Sequence, residues 1–351
     1  MQLPSRNAPR LRTAHVLLTA ATAALVALPL TAVAVAAVDA YPGGTTIRPG
    51  SLERGPDTPL LHQEGRAIVD GSLRIRVDAT RLGLLGRSGV DYVATTSDEN
   101  DENVRLVRVD REGTVTRVRS LGNLSPEAHL SATGARVALE SWTRRDGTRV
   151  QVVDTRSGLV VRSRAFGGPV EVLSHARRRL VLSEFTSERT RTFWWNPFSN
   201  TTTRISRLPG YRADIPQNRL GLFEGDPYSG GCQRVVRLDR PSTMVWRSCS
   251  EIVFELSPDA GRMVTGHILS DGPGPRVIQV RRGDGRLLRT YRAEWFGSLR
   301  WETDRRLLMQ VGGTKAVAAV RCTLRGCERA SKLFPRNGRE PWNVMRWSFP
   351  G

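Results

Sequence analysis

Two sets of residues have types and spacing that could do chemistry. The first is four cysteines, Cys232, Cys249, Cys322 and Cys327. Paired thiols serve as zinc ligands, as a redox centre or as a disulfide staple. A zinc site wants four thiolates together, or histidines at ligand spacing, and a redox pair wants C-x-x-C. Neither pattern is present. The second set is Glu140, Glu184, Glu224 and His267, which recur at steps of 44, 40 and 43. Recurrence at that step places them at one height of a repeating structure, as a polar or cation-binding rim. The plainer alternative is that they are strand ends, polar because they meet water.

Other motifs carry less. There is no G-x-S-x-G elbow, no H-E-x-x-H and no glycine-rich phosphate loop. His15, His62, His129, His175 and His267 lie in separate segments. His129 is read as preceding a strand, His175 as lying in a turn and His267 as ending a strand, so they are not expected to converge. The acidic stretch TSDENDENVR (Thr96 to Arg105) lacks the glycine and alternation of a calcium loop. Arg282-Gly283-Asp284 falls where a hairpin turn needs Gly and Asp anyway. Phe193, Trp194 and Trp195 alternate across a strand, so at least one tryptophan should face a neighbouring layer.

What must position these residues is a repeat. A β run, a polar turn and a second β run appear as AIVDGSLRIR, LVRVDREGTVTRV, VQVVDTRSGLVV, TFWWNPFSNTTTRI, RVVRLDRPSTMVW, VIQVRRGDGRLLRTY and AAVRCTLRGCERA. The residues opening the turns are Asp70, Asp110, Asp154, Asn196, Asp239, Arg281 and Cys322, at steps of 40, 44, 42, 43, 42 and 41. Between the hairpins lie second strand pairs, such as HLSATGARVALES and FELSPDAGRMVTGH. A unit of about 42 residues with four short strands is a propeller blade. One blade cannot bury its two apolar faces, and a ring of blades covers them mutually. The fold class is therefore all-β, a β-propeller of four-stranded antiparallel blades. Seven hairpins favour seven blades, and six is the alternative. Seven requires the C-terminal PWNVMRWSFPG to supply the inner strand of the blade whose outer strands come from residues 59–83.

LSPDAGRMVTG (Leu256 to Gly266) and RWETDRRLLMQV (Arg300 to Val311) resemble the W-S-P-D-G-x-x-hydrophobic inner-strand motif of TolB-type, WD-like propeller repeats. The resemblance covers residues 59 to 351 and implies fold, not substrate.

The hairpin register decides between uses of the cysteines. Cys322 and Cys327 straddle one turn centre, and the midpoint of Cys232 and Cys249 lies within the turn Asp239 to Ser242. Facing positions on an antiparallel pair are within disulfide reach. Two staples are expected, Cys232–Cys249 and Cys322–Cys327.

The N-terminus sets the compartment. Arg6, Arg10 and Arg12 precede 26 residues, Thr13 to Val38, without a full charge. Residues 1–40 read as a cleaved signal peptide or a retained membrane-anchor helix, both open; 41–58 as a linker; 59–351 as the propeller. The expected location is extracytoplasmic, secreted or held at the cell membrane. The net charge of +19 is nearly all arginine, since Lys315 and Lys332 are the only lysines. A surface of that sign attracts anionic polymers and headgroups.

Together these imply an exported, non-catalytic binding or scaffold protein, monomeric and without a cofactor. It would engage a protein or an anionic cell-envelope component. No specific nucleic acid is implied, and membrane contact is through the N-terminal segment alone. The alternative is a propeller hydrolase or lactonase with a metal at the channel mouth.

Overall fold

The computed structural model describes residues 44–336 and 346–347, apart from 123–125, 144–146, 177, 187–188 and 271–273. The apolar N-terminal run lies outside this set. Among the described residues no helix is long and apolar enough to cross a membrane.

The strands form seven antiparallel sheets in chain order, each a blade. The first strands are Arg346–Trp347 in blade 1, Arg81–Ser88 in blade 2, Glu127–Leu130 in blade 3, Val170–His175 in blade 4, Gly210–Asp214 in blade 5, Glu251–Leu256 in blade 6 and Trp295–Thr303 in blade 7. First strands of neighbouring blades approach one another, which puts them at the ring's axis. The seven hairpins read from the sequence are the outer strand pairs, and the ring closes with seven blades. Blade 1 takes its first strand from the C-terminal segment, with Trp347 opposite His62 and Arg346 opposite Gln63. Closure by strand pairing rather than by a loop removes the exposed sheet edge at the axis and ties the chain ends to one blade.

No single core exists. Seven apolar clusters occupy the seven interfaces between blades, as mutual covering of blade faces requires. The alternation expected for the Phe193–Trp195 run holds. Trp195 is fully buried between blades 3 and 4, edge-on to Phe166. Trp194 points the other way, toward blade 5, under the Arg179 guanidinium.

Residues 44–58, read above as the end of a linker, pack on the ring. Thr45–Thr46 adds a parallel fifth strand outside Leu287–Arg292 of blade 6. Ile47 is buried in the cluster between blades 6 and 7, and Arg54 bridges Arg329 of blade 7. The strap follows from a single apolar residue, Ile47, between polar neighbours that satisfy a strand edge.

Both disulfides form, Cys232–Cys249 and Cys322–Cys327. They span 17 and 5 residues of chain. Chain-entropy arguments give about 3 and about 2 kcal/mol respectively. Denaturant melts of the Cys232→Ser/Cys249→Ser and Cys322→Ser/Cys327→Ser proteins should show losses in that order.

Candidate functional site

The second strands of the blades end on the same face where the first strands begin. His267 closes the second strand of blade 6 (Arg262–His267), and Glu224 directly follows that of blade 5 (Arg219–Phe223). Glu184 stands one residue short of the end of that of blade 4 (Leu180–Phe185), and Glu140 lies inside that of blade 3 (Arg136–Thr143), not at a strand end as expected. Their surroundings differ. Glu184 is buried between Arg189 (2.6 Å) and Arg191 (2.5 Å). Glu224 meets Arg247 at 2.6 Å and Arg234 at 3.6 Å. His267 accepts the N–H of Leu269 and so caps its own turn. Among the described residues Glu140 has no arginine partner: its carboxylate accepts the N–H of Val172, from a bulge in the first strand of blade 4. Three of the four are thus held by local partners, and one is open to a ligand.

Glu140 lines a cavity of about 510 Å³ across blades 3, 4 and 5. Its walls include Trp142, Val170, Phe185, Tyr211 and Phe223, with Glu127, Glu140, Glu171 and Asp226 supplying carboxylates. Although the chain holds 53 lysines and arginines, none is among the described lining residues. Blade geometry builds the cavity, since the same positions of three successive repeats meet there. Gly147, at φ +71°, starts the third strand of blade 3 where a Cβ would strike the Phe166 carbonyl oxygen at 2.3 Å. That glycine lets the start of the third strand lie against the Phe166–Gly168 backbone that leads into blade 4.

Among the described residues no arginine or lysine pairs with Glu127, Glu140 or Glu171. Burial pushes Glu140 up to about 7, and repulsion from Glu127 adds to the shift. Glu171 is raised in the same direction by burial and by Glu140 and Glu127. Its side chain remains open to water, so the firmer statement concerns Glu140. Asp226 is satisfied by its own turn, accepting from the Tyr228 N–H and the Ser229 hydroxyl, each at 3.0 Å.

Ionising Glu140 therefore costs stability. Its unfolded value is 4.5 and its folded value about 7, so the folded state carries the penalty above that window and none below it. Glu140→Gln, which imitates the protonated group, should be more stable than the parent by roughly 1–3 kcal/mol near pH 8, and equal to it near pH 4. Urea melts at the two pH values check this. A carboxyl kept at a cost beside a cavity marks a functional position.

Two histidines not expected to converge do so. His129 lies within the first strand of blade 3, and His175 ends the first strand of blade 4 instead of lying in a turn. The His175 Nδ1 is 3.2 Å from the His129 carbonyl oxygen. Adjacent first strands at the axis bring positions one repeat apart into contact. His129 Nε2 is buried without a hydrogen bond, 3.9 Å from Glu140 and 4.0 Å from Glu127. Burial pushes its pKa down to about 4; the two carboxylates, when ionised, pull the other way. Donor atoms of Glu127, His129 and Glu140 all lie within 4.8 Å of one another. Such a mixed N/O set with an open side suits a first-row divalent ion.

The remaining motifs resolve as turns. The Asp98 carboxylate accepts from the Glu102 N–H (2.7 Å) and the Asn103 amide (2.9 Å), so the acidic loop folds on itself. Arg282 pairs with Asp284 inside its own hairpin.

The rim of the same face carries what the sequence reading missed. Trp142, Phe185, Tyr228 and Leu269 are exposed, the first three by 56, 61 and 76%. Trp142 and Phe185 lie among the last residues of the second strands of blades 3 and 4, and Tyr228 and Leu269 follow those of blades 5 and 6, at steps of 43, 43 and 41. Tyr228 is presented by the one-turn helix Pro227–Ser229, and the Cys232–Cys249 disulfide clamps the base of that loop.

No known family's profile matches the sequence, and no curated protein does. Similar solved structures are β-propellers. The acylaminoacyl peptidase of Pyrococcus horikoshii shares 11% identity at a TM-score of 0.55, over 76% of this chain and 47% of the peptidase. The chain thus spans about half the length of that enzyme. An uncharacterized protein of Listeria monocytogenes shares 12% at 0.48, over 81 and 87%. TolB from Acinetobacter baumannii shares 12% at 0.42, over 67 and 61%. At such identities the likeness shows the fold alone.

Proposed function

We propose that this protein is an exported, non-catalytic binding propeller. It holds a macromolecular partner on the face where the second strands of blades 3 to 6 end. The observation that carries this reading is the exposed apolar arc Trp142, Phe185, Tyr228 and Leu269, one residue per blade, beside an apolar-walled cavity. Scattered exposed apolar residues need no explanation, whereas an ordered arc on one face marks an interaction surface. Two disulfides support a location outside the cytoplasm. The motif at Leu256 to Gly266 supports a place among TolB-like, WD-like repeats. The net charge of +19 has its own surface. Arg117, Arg119, Arg162, Arg164 and Arg204 lie on the outermost strands of blades 2, 3 and 4, where charge also guards a sheet edge. An anionic envelope component would meet those edges.

Trp142→Ala/Phe185→Ala/Tyr228→Ala should lose partner capture from envelope extracts by about tenfold or more, with an unchanged melting temperature. Equal capture by the variant would refute the assignment of the face. A metal-dependent hydrolase is the second reading, favoured by the Glu127, His129 and Glu140 donor set. Calorimetric titration with zinc would separate the two.

A further inference from the structure

We infer that the cavity takes an arginine-bearing, extended segment of a partner protein, with the guanidinium among Glu127, Glu140 and Glu171. This deepens the proposed function and rests on it. The walls are largely apolar, and among the described lining residues the charged groups are carboxylates, with no lysine or arginine. In a chain of net charge +19 this is the opposite of the average surface. Charge complementarity thus selects a cation here. Aromatic walls narrow the choice. Trp142 and Phe185 flank the carboxylates, and a planar guanidinium stacks on aromatic faces while its N–H fork meets carboxylates. An ammonium is attracted to both features but lacks the planar stacking surface and the bidentate fork. Size excludes a bare ion as the sole occupant, because about 510 Å³ lies in the range of organic ligand sites. Reach excludes a small amine as the whole ligand. The apolar arc continues from Tyr228, at the blade 5 edge of the cavity, to Leu269, one blade further round. An extended segment placing one arginine in the cavity and apolar neighbours on the arc uses every one of these features.

The test uses the whole chain and two labelled nine-residue Gly/Ser peptides. One carries a central Leu-Arg-Leu and the other Leu-citrulline-Leu, which has the same shape and no charge. Fluorescence anisotropy is read at about 150 and about 500 mM salt, to separate a seated cation from diffuse attraction. The arginine peptide should bind at least about tenfold tighter than the citrulline peptide at both salts. Glu140→Gln/Glu171→Gln should abolish the preference, and Glu224→Gln should leave it intact. Equal binding of the two peptides, no binding of either, or a preference that survives Glu140→Gln/Glu171→Gln would each overturn the inference. So would a preference that vanishes at the higher salt. Self-association of the chain that is lost in Glu140→Gln/Glu171→Gln would make a second copy the occupant and overturn the separate partner. If the aromatic triple variant loses its partner while the peptides show no charge preference, the binding face stands and the arginine assignment falls.

Discussion

Glu255→Ala is expected to destabilise the ring by about 3 kcal/mol or more. Glu255 stands on the first strand of blade 6 between Arg212 of blade 5 and Arg300 of blade 7, each at 2.7 Å. The three side chains link three blades at the axis, and the Glu255 and Arg300 side chains are about nine-tenths buried. Removing the carboxylate takes the shared counter-charge from two guanidiniums that cannot be neutralised, since arginine does not lose its proton. Asp214 stands close enough to feel both arginines and offsets part of the loss, so the lower end of the usual range for a broken buried pair applies. Replacing all three by leucine should cost much less, because desolvation is then removed along with attraction. Denaturant unfolding of the single and triple variants measures the difference. A Glu255→Ala loss below about 1 kcal/mol would mean that water reaches the network.

Trp195→Ala is the second large effect, a loss of about 4 kcal/mol. Trp195 is wholly buried, packs edge-on against Phe166 of blade 3 at 5.8 Å, and donates its ring N–H to Asn200 (3.2 Å). Alanine leaves a cavity between two sheets whose backbones are fixed by their own ladders and cannot collapse into it. The interface lies between blades 3 and 4, which carry most of the candidate cavity. Weakened binding at the cavity should therefore accompany the lost stability, whereas Trp301→Ala, between blades 6 and 7, should affect stability alone.

Much of the ring was legible because outer hairpins depend on local turn chemistry. Asp70, Asp110, Asp154, Asn196 and Asp239 each open a turn that their type favours, and the pairs Cys232–Cys249 and Cys322–Cys327 follow from that register. First strands were harder to read. Those of blades 2, 4, 5, 6 and 7 contain bulges that break the alternation, at Leu84/Gly86, Val172/Ser174, Gly210/Arg212, Val253/Glu255 and Phe296/Leu299. His129 and His175 were judged separate because one was read as preceding a strand and the other as lying in a turn, although 46 residues of chain is one repeat plus a small offset. The same signal would have paired Glu127 with Glu171, 44 positions on.

The recurring set Glu140, Glu184, Glu224 and His267 was visible because charge stands out in a strand. Its members diverge because arginines at 189, 191, 234 and 247 neutralise two of them, a pairing that depends on strand register between blades and loops. Only one to four residues further along, Trp142, Phe185, Tyr228 and Leu269 keep the same period. They do not stand out from core residues in the sequence, because large apolar side chains near strand ends are ordinarily buried. Burial, not residue type, distinguishes the two, and sequence alone does not supply it. The strap at Thr45–Thr46 escaped for a different reason: two residues are too few to show a period.

Site-specific photo-crosslinking tests the account's central claim, that the second-strand-end face of blades 3 to 6 is where a partner sits. A benzophenone amino acid in place of Phe185 should crosslink a partner in envelope preparations. The same group at Leu159, equally exposed in the outer turn of blade 3, should yield none. Crosslinking from position 159 with none from 185 would contradict the account.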